Sequence, residues 1–241
     1  ATCDLCNIML KDSAHIQETE AEWKNRKARR AGRPEVPPLY EMSDALGVLE
    51  HFEGYYYDEI VEVNDEVSVR FTDIGHLLGS ASIEIWMKED GVEKKIVFSG
   101  DIGNFNKPLI RDPIYTKEAD YAVMESTYGD RFHQKGKDHI SELVRIVQET
   151  LDRGGNVVIP DFAVGRTQEL LYYFRQIKAQ RLIHGHDNFE VYVDSPLAVE
   201  ATHVFKENQA ECYDEETREL VEEGINPIAF PGLKLSVTSD E

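Results

Sequence analysis

Cysteine is scarce in this chain, with three residues among 241. Cys3 and Cys6 form a lone CxxC pair and Cys212 is remote from them, whereas a structural zinc site takes four closely arranged ligands. Long apolar runs are absent too: none approaches the ~20 residues that span a bilayer, and the segment Ala1 to Leu10 lacks the basic-then-apolar order of a signal peptide. These absences predict a soluble cytoplasmic protein with no membrane partner, in which Cys3 and Cys6 are ordinary helical thiols.

Positive charge is also in short supply. The chain has 26 lysine and arginine residues against 46 aspartate and glutamate residues, a net charge of −20 and a pI near 4.8. Such a field repels nucleic acid, so binding nucleic acid would require a local basic groove or bound cations. The one dense basic stretch runs from Lys24 to Arg33, and most such runs are a solvated helix face and loop.

Apolar residues, by contrast, are numerous enough for a sizeable core. They make up 41 % of the sequence, and a chain of this length holds one large domain or two small ones. The spacing of Leu5, Ile8, Met9 and Ile16 predicts a helix at the start, and the proline-containing stretch through Pro38 ends it.

Two patterns divide the rest of the chain near residue 128. A second helix, predicted from Ser43 as N-cap to about Phe52, is followed by β-rich segments with a hairpin turn at Asp90-Gly91. From Tyr121 onward, short apolar strands alternate with helical stripes, which is typical of a parallel α/β sheet. The predicted strands are 60–63, 67–72, 82–87, 95–99, 121–124, 157–159 and 189–193, and the later helices begin near residues 140, 170 and 197. The sequence therefore predicts an α/β protein with a boundary near residue 128.

Three side chains suited to metal chemistry follow predicted strands. His76 lies between glycines, Asp101 follows an apolar strand, and Glu125 follows the next. A histidine on a strand-ending loop exposes a ring nitrogen to a metal, and an aspartate there can bridge two cations. A lone histidine is usually structural, however, and such an aspartate is more often a helix cap or turn residue. Each residue alone leaves both interpretations open.

Together, and in this order, the three elements resemble successive motifs of metallo-β-lactamase-fold nucleases. The segments are Asp73-Ile74-Gly75-His76-Leu77-Leu78-Gly79-Ser80, Phe98-Ser99-Gly100-Asp101-Ile102-Gly103-Asn104 and Val123-Met124-Glu125-Ser126-Thr127-Tyr128-Gly129. The Glu-Ser-Thr-Tyr-Gly form of the last resembles the first motif particular to the β-CASP group. The segment Asp12 to Gln17, with the Trp23 to Arg33 segment after it, is similar to a stretch of archaeal and bacterial β-CASP ribonucleases, so the resemblance spans nearly all of the chain.

Two later loops resemble strand-loop-helix segments of the β-CASP domain: Ile159 to Glu169 and Asp194 to Ala198. A loop that enters a helix presents backbone N–H groups and the positive helix end, and Arg166 adds a guanidinium that can grip phosphate. Arg166 and Ser195 are therefore candidate phosphate-binding residues. The alternative for Arg166 is an ion pair with Glu169 on the same helix.

The resemblance implies a partial metallo-β-lactamase αββα half, residues 1–128, and a partial β-CASP domain with a parallel, Rossmann-like sheet, residues 129–241. It further implies that the parent protein is a ribonuclease whose two zinc ions activate a water and clamp the phosphate. In that interpretation His76 binds one zinc, Asp101 bridges both, and Glu125 orients a ligand. RNA is the expected partner, and DNA stays open.

The family's His-x-His-x-Asp-His cluster is expected upstream of Ala1 and its later histidine motifs downstream of Glu241. The chain is therefore expected to be an inactive internal fragment with partial or no zinc, prone to self-association through exposed apolar surface. Two alternatives stay open: a catalytically silent β-CASP scaffold that binds RNA, and a metal-dependent hydrolase of small molecules. Histidines that match no metal-ligand spacing are predicted to be surface residues: His133, His139, His184, His186 and His203.

Overall fold

The computed structural model of the chain describes residues 1–131 and 139–236, and it divides into two compact units, Ala1–Gly54 and Tyr55–Glu241. The helices are α1 (Thr2–Arg30), α2 (Met42–Leu49), α3 (His139–Asp152), α4 (Arg166–Ala179), α5 (Pro196–Glu207), α6 (Gln209–Cys212) and α7 (Glu215–Glu222). The strands are β1 (Ile60–Glu62), β2 (Val67–Asp73), β3 (Ala81–Glu89), β4 (Val92–Phe98), β5 (Tyr121–Val123), β6 (Val191–Val193) and β7 (Leu233–Leu235). Within the described ranges, no helix combines the length and apolarity needed to cross a membrane. The predicted surface position of His133 lies outside the described residues.

The first unit consists of the long helix α1, the short helix α2 that packs against it, and the segment that joins them. Ala14 and Ala21, two helical turns apart, are the buried residues of α1. The joining segment is fixed by Asn25, whose side-chain amide donates to the Val36 carbonyl and accepts from the Val36 N–H, both at 2.8 Å. The helical opening predicted from sequence is confirmed.

The start of α2 differs from the prediction. The helix begins at Met42, so the N-cap is Glu41 rather than Ser43. The Glu41 N–H donates to the Asp44 carboxylate at 2.9 Å, which completes a reciprocal cap with Asp44 at the third helical position. The physical reason is that Asp44 caps Glu41, which stabilises a start two residues earlier than an N-cap at Ser43 allows.

The second unit begins with a five-stranded sheet in the order β1-β2-β3-β4-β5. Strands β1 to β4 pair antiparallel, and β5 pairs parallel with β4. The predicted hairpin turn is confirmed, since Asp90 and Gly91 join β3 to β4 with φ of 50° and 77°, the left-handed region that a two-residue hairpin turn requires. Because β2, β4 and β5 run in one direction, their C-terminal ends lie along the same edge of the sheet.

The remainder of the second unit is mainly helical. Helices α3 and α4 pack around a buried apolar cluster of Val147, Phe174, Ile177 and Ile183. The predicted stripe of α3 contributes to this cluster through Ile140, Leu143, Val144, Val147 and Leu151. Its period of three and four residues therefore marked the buried face correctly.

The predicted parallel, Rossmann-like sheet is not confirmed. Among the described residues after position 128, parallel pairing is limited to the two short strands β6 and β7, with Val191 opposite Leu233. The predicted strand at 157–159 is wrong: residues 157–159 pair with no other strand of the described structure, and Val158 is 87 % exposed. A short apolar run becomes a strand only where a neighbouring strand accepts its hydrogen bonds, and apolar composition does not report that neighbour.

Candidate metal centre and phosphate-binding turn

His76 and Asp101 lie together at the sheet edge where β2 and β4 end. His76 Nε2 is 3.8 Å from Asp101 Oδ2, and the two side chains are 39 % and 71 % exposed. An imidazole nitrogen and a carboxylate oxygen at this separation, both open to solvent, are donors that zinc accepts. Sequence positions 25 residues apart thus converge because β2 and β4 are parallel in direction although they are not neighbours.

The loop that bears His76 is held by its own polar groups. The Asp73 carboxylate accepts from the Gly75 N–H at 2.9 Å, and Ser80 Oγ accepts from the N–H groups of His76 and Leu77 at 3.0 and 3.1 Å. Burial raises the pKa of Asp73, although the Gly75 N–H and the guanidinium of Arg111 oppose the rise. These bonds fix the backbone of His76, so its ring is presented from a defined position.

The loop that bears Asp101 packs directly on the His76 loop. The Gly103 N–H donates to the Ile74 carbonyl at 2.9 Å, and a Cβ at Gly103 would lie 1.9 Å from the Gly75 carbonyl oxygen. Only glycine fits at position 103, because any side chain there would drive the two loops apart. The Phe98 to Asn104 segment therefore needs this glycine to bring Asp101 to His76.

Glu125 anchors the Asp101 loop from the end of β5. Its Oε1 accepts from the Ile102 N–H at 2.5 Å, and its own N–H donates to Ser99 Oγ at 3.1 Å. The hydrogen bond from Ile102, followed by one from Thr127, lowers the pKa of Glu125, so it is a carboxylate at neutral pH. Glu125 thus holds the backbone next to Asp101, and its orienting role toward a ligand stays a prediction.

Arg166, at the start of α4, pairs with Glu169, which is the alternative that the sequence offered. Arg166 Nη1 lies 2.7 Å from Glu169 Oε2, while the arginine side chain stays 60 % exposed. The guanidinium has five N–H donors, so this pair leaves others for a ligand. The expectation of phosphate binding at Arg166 therefore stays a prediction.

Lys107 links the start of α4 to the loop that bears His76. The sequence did not reveal this link. Its Nζ donates to the His76 carbonyl at 2.9 Å and lies 3.2 Å from Glu169 Oε1. His76, Lys107, Glu169 and Arg166 therefore form one continuous polar chain. No motif marks Lys107, because its partners lie far from it in sequence.

The turn before α4 is built for close approach to the same loop. Gly165 has φ of +89°, and a Cβ there would lie 2.3 Å from Leu77 Cδ2. The cavity between the His76 loop, the turn at Gly165 and the side chain of Phe205 has a volume of only about 10 Å³, which is at most enough for one water. This space is therefore too small for a ligand larger than water, whereas the side chains of His76 and Asp101 are open to solvent.

Gln168, also missed from sequence, fastens this turn to α5. It is fully buried; its Oε1 accepts from the Gly165 N–H at 2.7 Å, and its Nε2 donates to the Ala163 carbonyl and to Thr202 Oγ1 at 3.1 and 3.0 Å. Ser195 serves α5 itself, since its Oγ accepts from the Ala198 N–H at 3.2 Å as an N-cap. The proposed phosphate contact of Ser195 is untested by this geometry.

The donor set fits part of a zinc site. His76 and Asp101 supply two ligands of the types that zinc binds, whereas a zinc ion in a protein usually has three or four protein ligands. Over residues 1–131 and 139–236, no group of three or more His, Cys, Asp or Glu side chains is placed to hold a metal ion. Four of the predicted surface histidines lie within these ranges; His139, His184 and His203 are exposed, and His186 is partly exposed and pairs with Asp152 at 2.9 Å.

Comparison with known proteins finds one family model and several relatives that match this chain. The model of the Beta-Casp domain matches residues 167–241. Over 200 residues the chain is 32 % identical to Ribonuclease TTHA0252 of Thermus thermophilus, covering 82 % of this chain and 43 % of that protein. It is also 32 % identical to an RNase J-like protein of Methanocaldococcus jannaschii (78 % of this chain, 44 % of that protein) and to Transcription termination factor FttA of Methanosarcina mazei (78 % and 29 %). The chain thus spans less than half the length of these relatives.

Proposed function

Because this chain belongs to the β-CASP family of metallo-β-lactamase-fold proteins, we propose that the whole protein is a zinc-dependent ribonuclease that hydrolyses RNA phosphodiesters. The single observation behind the proposal is the pairing of His76 Nε2 with Asp101 Oδ2, 3.8 Å apart and open to solvent at one sheet edge. The names of the two relatives called ribonuclease and RNase J-like protein support the substrate class.

Each residue of the site has a distinct proposed role. His76 would bind one zinc ion and Asp101 would bridge two, while Glu125 holds the Asp101 loop in place through the Ile102 N–H. Zinc, when bound, lowers the pKa of a water and stabilises charge on the phosphate. Arg166 and Ser195 would contact phosphate at the starts of α4 and α5. Lys107 keeps the two groups of residues in register because it touches both His76 and Glu169.

Several finer assignments belong to the same proposal. We assign residues 1–128 to a metallo-β-lactamase domain and 129–241 to a β-CASP domain, although the compact units divide after Gly54. Self-association is supported by exposed apolar side chains, among them Tyr121, Met124 and Phe162. We also propose a cytoplasmic location, which the low cysteine content supports.

Two rival functions remain distinguishable by experiment. A silent scaffold would bind RNA without cleaving it, and a small-molecule hydrolase would turn over a thioester or lactam instead. The exposed guanidinium of Arg166 favours a polyanionic substrate over either small molecule. The donor pair favours an enzyme over a scaffold.

The proposal predicts that the whole protein cleaves labelled RNA and loses this activity when a chelator removes the metal. The 241-residue chain alone, with two donors in place, is expected not to cleave RNA and to bind zinc weakly. Gel analysis of labelled RNA and elemental analysis of both proteins test this. Binding without cleavage by the metal-loaded whole protein would favour the scaffold, and tight stoichiometric zinc in the short chain would show that the ligands are misassigned.

A second prediction concerns Arg166. If its remaining N–H groups bind phosphate, Arg166→Ala in the whole protein should weaken RNA binding at low salt at least about 10-fold, because charge-assisted hydrogen bonds contribute roughly 1.5 to 3 kcal/mol. Zinc content should not change. Fluorescence anisotropy with labelled RNA measures the binding.

Arg145 provides the matched control for this substitution. It is an exposed arginine on α3 that pairs with both Glu142 and Glu149, at 2.7 and 2.9 Å. Arg145→Ala removes the same charge from the same unit but is expected to leave RNA affinity unchanged. Equal affinities for the wild type and Arg166→Ala would mean that the pair with Glu169 is the whole role of Arg166.

A further inference from the structure

We propose that the outward face of the last turns of α1 is a binding surface for single-stranded RNA, in which Trp23 stacks on a base and Arg30 and Arg33 contact backbone phosphates. The proposal rests on the proposed function, because RNA is the substrate class assigned there. It adds a contact outside the metal site, in the first compact unit.

The three helical residues of this surface share one side of α1. Trp23, Lys27 and Arg30 follow the spacing of four and three residues that places side chains one above another on a helix. Ala14 and Ala21, which are buried, occupy the opposite side. Arg33 continues the surface past the helix end, where its N–H donates to the Ala28 carbonyl at 2.9 Å.

Ion pairing distinguishes these cations from their neighbours. Six of the chain's 26 basic residues fall between positions 24 and 33. Three of them are matched by carboxylates: Lys24 with Glu20 at 3.1 Å, Arg26 with Glu22 at 2.7 Å, and Arg29 with Glu35 at 3.1 Å. Within residues 1–131 and 139–236, no ion pair is found for Lys27, Arg30 or Arg33, and all three are exposed. Positive charge thus remains unmatched on one side of the helix, in a chain of net charge −20.

Trp23 gives this surface a stacking platform. Its side chain is 56 % exposed, and Lys27 Nζ lies 3.4 Å from the ring centroid. Exposure of a large aromatic ring to water is unfavourable, and covering the ring with another apolar surface lowers the free energy. Proteins bind single strands by combining such rings, on which bases stack, with cations that follow the backbone.

The simpler account is that these cations serve the helix alone. Basic residues in a last turn interact favourably with the helix dipole, and that role explains Lys27, Arg29 and Arg30 equally. It does not explain an exposed tryptophan beside them, nor the selective pairing of Lys24, Arg26 and Arg29. The two accounts differ in what they expect of RNA binding.

The test measures binding of the 241-residue chain to fluorescent oligouridine by anisotropy over a range of salt concentrations. The double variant Arg30→Gln/Arg33→Gln should reduce the slope of log affinity against log salt by about 0.7 for each phosphate that is no longer neutralised. Trp23→Ala should weaken binding at least about 5-fold, the low end for one stacked base. Trp23→Phe, which keeps a ring, should retain most of the affinity.

The matched control is Lys24→Gln/Arg26→Gln, which changes the net charge equally but removes cations already paired with Glu20 and Glu22. The salt slope of this control should equal that of the wild type. Equal effects of the two double variants would mean that only net charge matters for binding, and would overturn the proposal. Polyglutamate that competes as well as unlabelled oligouridine would overturn it too. Circular dichroism of each variant confirms that α1 is intact.

The same variants in the whole protein separate this inference from the proposed function. RNA cleavage by the metal-loaded whole protein, with no change in KM for Trp23→Ala or Arg30→Gln/Arg33→Gln, would overturn the surface and leave the nuclease proposal standing. A rise in KM with kcat retained is expected if the surface binds substrate. Absence of cleavage in the wild-type whole protein would overturn the nuclease proposal itself, and oligouridine binding would then decide the surface alone.

Discussion

Asp101→Asn in the whole protein is expected to reduce RNA cleavage about 1000-fold. A metal ion's stabilisation of transition-state charge is worth several kcal/mol, and each ~1.4 kcal/mol is tenfold in rate. The neutral amide of asparagine keeps the size of Asp101 but cannot bridge two cations as a carboxylate does. Zinc content, measured by elemental analysis, should fall with the activity.

The fold should tolerate this change, because the Asp101 side chain is 71 % exposed. Asp90→Asn is the matched control: it makes the same chemical change in the turn at the opposite end of β4, and asparagine tolerates the left-handed φ of 50° there. Full activity and zinc in the control, with neither in Asp101→Asn, is the expected pattern. An Asp101→Asn protein that cleaves RNA at the wild-type rate would remove Asp101 from the site.

Much of the geometry of the candidate metal site could be predicted because it follows from sheet topology. Each of His76, Asp101 and Glu125 follows an apolar strand, and strands that run in one direction end at one edge. The sequence patterns for β2 to β5 were strong enough to locate these ends within a few residues. Local periodicity therefore predicts where the three loops begin. The common direction of β2, β4 and β5 then brings these loops to one edge of the sheet.

The links between segments could not be predicted in this way. Lys107 contacts His76 and Glu169, and Gln168 contacts Thr202, yet no local pattern marks residues that meet across tens of positions. The strand proposed at 157–159 failed for the same reason, since a strand depends on a partner elsewhere in the chain.

Glu84 illustrates a further limit, because alternation along β3 would place it on a solvent face. It is instead 1 % exposed. Its carboxylate accepts from Arg70 Nε at 2.5 Å and from Thr116 Oγ1 at 2.8 Å, and it lies 2.6 Å from Lys95 Nζ. A buried carboxylate is tolerated only when its partners satisfy it, and those partners come from β2, β4 and a loop. Glu84 therefore joins β2, β4 and the loop that bears Thr116 through one side chain.

Glu84→Ala should accordingly destabilise the second unit by about 3 kcal/mol, since removing one member of a buried ion pair leaves its partners uncompensated. Glu84→Gln should cost less, because the amide oxygen still accepts hydrogen bonds. Trp86 lies over Arg70 and Lys95, with ring distances of 5.3 and 4.9 Å. Its fluorescence in a Trp23→Phe background therefore follows unfolding of this sheet in urea.

The pH dependence of this stability has a defined sign. Burial raises the pKa of Glu84, but hydrogen bonds from Lys95, Thr116 and Arg70 outweigh burial and leave the pKa below its ordinary value. The stabilisation is therefore fully present above the ordinary glutamate pKa and is lost as pH falls through the lowered one. The difference in unfolding free energy between the wild type and Glu84→Gln should narrow over that acidic range.

Glu93→Ala is the control on the same hairpin, because the pair of Glu93 with Lys88 at 3.3 Å is exposed and should contribute at most about 0.5 kcal/mol. Equal losses of stability in Glu84→Ala and Glu93→Ala would show that the buried pair does not hold the sheet together.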